Sequence, residues 1–171
     1  MARLLTRVIK PAIIADRVFA LFRKVPTKLA QYQHGLLGGD EIMTIEQNKS
    51  VVQRYFEAFN AGDLEILESL TSPEMFQYSK DNLDWVAATF ADHRLEIRQI
   101  IAEGNEVAVR VDSSGRHIGE WMDITPTGKS WNNYGVVFFR LQSGKIIDIW
   151  MLFDVPNHVK ELGGEIKVVT Q

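Results

Sequence analysis

Residues 117–131, His-Ile-Gly-Glu-Trp-Met-Asp-Ile-Thr-Pro-Thr-Gly-Lys-Ser-Trp, bring a histidine, two acids and two tryptophans around a Pro-Thr-Gly turn. His117 could act as acid or base, because an imidazole titrates near neutral pH. The plainer reading of the stretch is a long hairpin connection, with Pro126 presetting the backbone and Gly128 permitting positive φ. The other histidines, at 34, 93 and 158, are scattered along the chain. There is no phosphate-cradling glycine loop, no nucleophile elbow and no metal-ligand cluster at a recognisable spacing. The absence of cysteine removes thiol nucleophiles, disulfides and zinc-thiolate sites.

The elements around this stretch follow from length and pattern. The chain has 171 residues, 46% of them hydrophobic, which suits one domain with a modest appendage. A net charge of -3 argues against nucleic acid as the main partner, and no apolar run approaches a membrane span. Charge divides the chain near residue 43. Residues 1–42 hold seven basic and three acidic side chains, a local +4, so the remainder carries -7. Two parts are therefore expected: a basic amphipathic helical extension over 1–42, and a domain over 43–171. Within the extension, residues 1–34 could make weak contact with a membrane surface or form a transit-type presequence. Alternatively, residues 1–42 lie upstream of a native start at Met43. The location expected for the domain is cytoplasmic.

Thr44 and Gln47 match a capping box, and Val51, Val52, Tyr55, Phe56 and Phe59 form an apolar helical stripe. Gly62 stops that helix, and Asp63 caps a second carrying Leu64, Ile66, Leu67 and Leu70. Ser72-Pro73 reads as its end, Met75–Tyr78 as a short strand, and Asp81 as the cap of a third helix ending near His93. From Leu95 the period becomes two. Strands follow around Val107–Val111, Gly135–Leu141 and Lys145–Phe153. Helices followed by an antiparallel meander imply an α+β fold with helices on one face of a curved sheet.

Three segments resemble the SnoaL-like polyketide cyclases and related ester cyclases of the nuclear transport factor 2-like (NTF2-like) superfamily. They are NKSVVQRYFEAFNAGDLEILESLTSPEMF, IIAEGNEVAVRV followed by GRHIGEWMDITPTGKSW, and GKIIDIWMLFD followed by VKELGG. The resemblance covers about residues 44–164. It implies a cone-shaped α+β barrel with a deep apolar pocket, a homodimer formed through the outer sheet face, and no metal or organic cofactor. It also implies ring closure by intramolecular aldol condensation, with a pocket Asp as general base. Such a base must reach an acidic carbon proton, and apolar walls must raise its pKa.

On that pattern, the positions of the catalytic Asp, a supporting His, and a Gln and a His on the preceding strand fall at Met151, Ile149, Gly135 and Val137. None of these side chains can take a proton. Strand parity gives the expected lining as Asn133, Gly135, Val137 and Phe139 opposite Ile149, Met151 and Phe153. Trp85 and Trp150 join it, Trp150 as the match to a Trp of the family. Trp85, Trp121 and Trp131 fit either a pocket entrance or an oligomer interface. The catalytic candidates that remain are Asp154, Tyr78 and His117. Asp154 either enters the pocket as base or caps the next helix. Tyr78 or Asn133 would polarise a carbonyl, and Tyr78 otherwise serves the core. His117 otherwise belongs to the rim. The short Ser79-Lys80 link leaves little of the family's usual pocket-covering insertion. Two functions stand side by side. One is a cofactor-independent cyclase, isomerase or lyase acting on a small apolar carbonyl compound. The other is a non-catalytic ligand-binding or structural protein.

Overall fold

A computed structural model of the chain describes residues 43–165. The basic segment expected over residues 1–42 lies outside the described residues.

Helix α1 spans Ile45–Ala61. Thr44 Oγ1 accepts from Gln47 N–H at 3.2 Å, and Gln47 Oε1 accepts from Thr44 N–H at 2.7 Å, so the capping box is complete. The stripe Val51, Val52, Tyr55, Phe56 and Phe59 is its buried face. Gly62, at φ 68°, closes the helix in the left-handed conformation, which costs glycine least. Asp63 then caps α2, Leu64–Leu70, by accepting from Ile66 N–H at 3.0 Å.

Helix α3 spans Pro73–Thr89 and corrects four sequence expectations. Met75–Tyr78 is helical, Asp81 lies mid-helix, and the helix ends at Thr89 short of His93. Ser72-Pro73 is a start signal here. Ser72 accepts from Met75 N–H at 3.3 Å, and Pro73 sits at the first helical position, where its missing N–H costs nothing. Asp81 instead accepts from Gln77 Nε2 one turn earlier, at 2.7 Å.

Strand β1, Phe90–Glu103, begins at the residue after α3. The sheet continues through β2 (Glu106–His117), β3 (Ser130–Gln142) and β4 (Lys145–Phe153), in the order β1-β2-β3-β4 and antiparallel throughout. Two register shifts interrupt β1, one between Ala91 and Arg94 and one between Ile97 and Gln99. Bulges of this kind bend a strand and increase its twist. Beside the other edge, Ser72 N–H donates to Ile146 O at 2.9 Å and Thr71 bridges to the same residue.

Alternation fixes the faces. Along β3, odd-numbered residues from Trp131 to Leu141 are buried, whereas Asn132, Tyr134, Val136 and Phe138 are exposed. The inner face presents Val107, Val109, Val111, Val137, Phe139, Leu141, Ile146 and Ile149 to α1 and α2. Phe139 meets Tyr55 and Phe56 edge-on, at centroid distances of 5.5 and 5.7 Å. Each such side chain contributes roughly 1.5–3 kcal/mol of burial.

The 117–131 stretch is a hairpin connection. His117 N–H donates to Lys129 O and Gly128 N–H donates to His117 O, each at 2.9 Å. Ile118 and Gly119 both donate their N–H to Thr89 O at 2.9 Å, which ties the hairpin to the end of α3. A Cβ on Gly119 would strike the Ala88 carbonyl oxygen, so only glycine permits this approach. Helix α4, Val155–Glu161, completes the described chain and buries His158 and Val159. Leu162, just past it, joins Phe90 and Trp131 in a second, smaller apolar cluster with Trp121 and Ile124 packed against it.

Candidate functional site

Three histidines far apart in sequence gather around that second cluster. The Phe90 ring lies 5.9 Å from His117, 5.4 Å from His158 and 4.9 Å from Trp131, measured between centroids. Trp131 and His158 are 4.2 Å apart, and Trp121 stacks on His158 at 4.5 Å. His93 lies 6.0 Å from Trp131 and shares a 3.2 Å hydrogen bond between its Nε2 and Ser113 Oγ. Four elements supply the group: β2 ends on His117, β3 carries Trp131 and Asn133, β1 supplies Phe90 and His93, and α4 brings His158.

The hydrogen bonds assign the tautomers. Asn133 Oδ1 accepts from Tyr134 N–H at 2.9 Å, so the Asn133 amide nitrogen faces His158 Nδ1 at 3.3 Å and donates to it. His158 therefore carries its proton on Nε2. Thr127 N–H donates to His117 Nδ1 at 3.3 Å, and a backbone amide can only donate, so His117 is likewise protonated on Nε2. Neither Nε2 has a partner, nor does the Trp131 indole nitrogen. His117, Trp131 and His158 are 0, 2 and 7% exposed.

Burial keeps these rings neutral at pH 7. It pushes His158 down to about 4, with His117 and His93 nearby adding to the effect. Burial alone pushes His93 to about 4. His117 is also lowered by burial. The Gly119 carbonyl nearby opposes that shift without reaching hydrogen-bond geometry at Nε2.

The other sequence candidates lie apart from this cluster or serve different tasks. Asp154 caps α4: its Oδ1 accepts from Asn157 N–H at 2.9 Å and its Oδ2 from the Tyr134 hydroxyl at 2.8 Å. Those two bonds hold its carboxyl below the usual range, whereas a pocket base needs a raised pKa. Tyr78 lies half-buried on α3 against the main core, with its hydroxyl raised by burial. Val137, Phe139 and Ile149 belong to that packed core, and Met151 and Phe153 lie half-buried against it. Gly135 is needed because a Cβ there would come within 2.6 Å of the Leu152 carbonyl and the Phe153 ring. Trp85 stands 37% exposed, edge-on to Phe90 at 5.8 Å. The expected place of Trp150 in the lining is corrected. Its parity puts it on the outer face, 41% exposed, against Phe138.

The middle of the outer face of β3 and β4 is apolar. Val136 pairs with Leu152 and Phe138 with Trp150, and all four are exposed. A polar cleft of about 540 Å³ is lined by residues of β1, β2, β3 and α4, among them Arg98, Asp112, Ser113, Asn133, Tyr134 and Asn157. Among the described residues, no group of three or more His, Asp or Glu side chains could hold a metal ion. No helix among them is long and apolar enough to cross a membrane.

Three N-terminal helices against one face of an antiparallel meander, closed by a C-terminal helix, define an NTF2-like α+β protein. The SnoaL-like polyketide cyclase family model matches residues 49–162, and the chain belongs to that family. It is 35% identical over 91 residues to the aklanonic acid methyl ester cyclase AcmA of Streptomyces galilaeus. That match covers 53% of this chain and spans 60% of the length of the cyclase. In fold it is similar to TsrD from Streptomyces laurentii, with a TM-score of 0.66 and 20% identity over 72% of this chain and 99% of that one. It is also similar to a SnoaL-like polyketide cyclase from Agrobacterium tumefaciens, with a TM-score of 0.62 and 19% identity over 71% and 100% of the two chains.

The sequence reading placed His117 and Asn133 among the site candidates but left His93, His158 and Ser113 out. For Ser113 a signal was present. Pairing β2 with β3 across the hairpin sets Ser113 opposite Asn133, on the same face as Trp131 and His117.

Proposed function

We propose that this protein binds a small, largely apolar carbonyl compound on the inner side of its sheet and does so without the carboxylate base of Asp-dependent cyclases. The observation that carries this reading is at Met151. It occupies the position where the family resemblance puts the catalytic Asp, half-buried against an apolar core. Asp154, the nearest alternative, is engaged by Tyr134 and Asn157. Half-buried Tyr78 and Leu83 on α3 face the same core as Met151 and Phe153, and Tyr78 offers a hydroxyl to a ligand carbonyl. Such a mostly apolar surface with few polar groups suits recognition by shape.

A second reading is favoured by the histidine cluster. A neutral imidazole that releases its Nδ1 partner can take a proton there and give one up from Nε2, so cofactor-independent isomerisation or ring closure would rest on His158 or His117 instead of an Asp. Both readings include a homodimer formed through Val136, Phe138, Trp150 and Leu152, since exposed apolar patches of this kind mark association surfaces.

The test is a thermal-shift screen of the full chain against aromatic ketones and 1,3-diketones, followed by proton-exchange NMR of each ligand that binds. Stabilisation by ketones without exchange of their α-protons supports the binding reading. Accelerated α-exchange that survives Asp154→Asn supports the histidine reading. Exchange abolished by Asp154→Asn with affinity retained would restore Asp154 as the base. No stabilisation by any ketone would overturn both readings.

A further inference from the structure

The inner face ends, beneath α4 and the hairpin, in a pair of buried hydrogen-bond donors that the fold leaves without an acceptor. His158 Nε2 and Trp131 Nε1 lie in side chains 7 and 2% exposed, with ring centroids 4.2 Å apart, and neither nitrogen has a partner. Buried polar groups are nearly always satisfied, so two neighbouring orphans on rigid rings require an explanation. Both are donors. The indole nitrogen has no other role, and Asn133 fixes the His158 proton on Nε2 by occupying Nδ1. Asn133 is itself locked by the Tyr134 amide and is 5% exposed. Ser113 is committed to His93 and Thr127 to His117, and His117 Nε2, a third donor without a partner, offers the pair no acceptor.

We infer that His158 Nε2–H and Trp131 Nε1–H form a receptor for one carbonyl oxygen of the ligand. This rests on the reading of the protein as a binder of apolar carbonyl compounds, and it gives the carbonyl to these two donors in place of Tyr78, which lies against the main core. A cation is disfavoured, because neither nitrogen offers a lone pair. A full anion is poorly matched too. Phe90, Trp121 and Leu162 surround the pair with apolar surface, and the neighbouring imidazoles are neutral at pH 7. A neutral oxygen attached to an apolar body fits both the donors and their walls. Trp121 and Phe90, packed against His158 at 4.5 and 5.4 Å, give that oxygen an apolar, aromatic surround.

The fold holds this pair in register. Gly115 lets the Trp131 ring lie across β2, since a Cβ there would approach the indole to 3.1 Å. His158 is set by the cap of its short helix, where its own N–H donates to Asp154 O at 3.0 Å. The donors are thus positioned before any ligand arrives, which keeps the ordering cost of binding small.

The experiment is a titration of the full chain, labelled with nitrogen-15, with acetophenone and in parallel with ethylbenzene, its hydrocarbon counterpart. The indole resonance of Trp131 and the long-range imidazole correlations of His158 are followed, together with the backbone amides of α3 and β4. The expected result is a downfield movement of both side-chain N–H protons with acetophenone alone, and roughly tenfold weaker binding of ethylbenzene, the cost of forgoing hydrogen bonds to two donors. If acetophenone moves the backbone amides but leaves both N–H protons in place, the receptor is wrong and the general binding reading stands. The same holds if the two compounds bind alike, or if His158 proves to carry its proton on Nδ1. If neither compound perturbs any resonance, the binding reading falls and the receptor falls with it. No substitution is needed, so misfolding of a core variant cannot obscure the answer.

Discussion

The Tyr134 hydroxyl donates to Asp154 Oδ2 at 2.8 Å and joins the outer face of β3 to the cap of α4. This bond and the Asn157 amide leave the carboxylate occupied on both oxygens. Asp154→Ala removes the cap and is expected to cost about 1 kcal/mol in urea unfolding. Asp154→Asn keeps the acceptor for the Asn157 N–H and turns the other bond around, its amide N–H donating to the Tyr134 hydroxyl oxygen, so it should change stability by under about 0.5 kcal/mol. Ligand affinity should be unchanged in both variants. A fall in affinity for Asp154→Asn with intact stability would place the carboxylate in the binding site.

Stability should depend on pH through the buried histidines. In the folded protein His158 and His93 titrate near 4, against an ordinary 6.5. Between those values the unfolded chain binds more protons than the folded one, so acid favours unfolding. The contribution is fully present above about 6.5 and is lost as pH falls toward about 4. It amounts to roughly 3 kcal/mol for His158 alone. Urea midpoints across that window should fall steadily, and His158→Phe should flatten the slope by about one proton. A slope unchanged by the substitution would contradict the neutral buried state.

The close approach of Gly119 to α3 makes a sharp prediction about the His-x-Gly-Glu element. A methyl group at 119 meets the Ala88 carbonyl and comes within 2.9 Å of the Thr89 Cα, both parts of a helix end that cannot swing aside. Gly119→Ala should therefore cost more than about 3 kcal/mol, beyond the usual range for exposed loops. Gly128→Ala is the useful contrast. At φ 68° it is strained, but nothing stands within 4 Å, so its cost should stay near 1 kcal/mol. Chemical denaturation of both variants decides the ranking.

Association through the outer face can be read by sedimentation. Phe138→Lys and Trp150→Glu place charges on two cross-strand neighbours whose rings lie 5.6 Å apart. Each should shift a dimer toward monomer by at least tenfold in dissociation constant while leaving the monomer folded. An unchanged sedimentation profile for both would remove this face from the interface.

Much of this architecture was readable in the sequence because its signals are local. The Thr44–Gln47 box, the stripe from Val51 to Phe59, the Asp63 cap and the alternation of β2 and β3 each depend on residues within a turn or two of one another. Ser72-Pro73 is ambiguous in sequence because the same dipeptide ends one helix and begins the next, and only the packing of Met75, Phe76 and Tyr78 on the core decides between them. The histidine cluster was beyond local reading. His93, His117 and His158 sit on three different elements, and their meeting depends on strand register and on where α4 docks. Trp150 shows the same limit from the other side. Its neighbours in sequence matched the family, but its parity with Phe138 sends it outward.

The two ends of the sheet are protected by different means, and this bears on how copies of the protein can meet. Beside β4, Thr71 and Ser72 already occupy Ile146. The opposite border, β1, is kinked twice and carries Arg94, Glu96 and Arg98 in a chain of ion pairs that ends on Asp112. Kinks and charge at a sheet border discourage the addition of another strand. Lateral strand pairing, the route to fibres, is therefore obstructed along β1 and, beside β4, at Ile146. Face-to-face pairing through Phe138 and Trp150 remains open, and it uses up its own contact surface once two copies have joined. In the proposed homodimer, the same sheet that offers an apolar face would thus hold assembly to a closed pair.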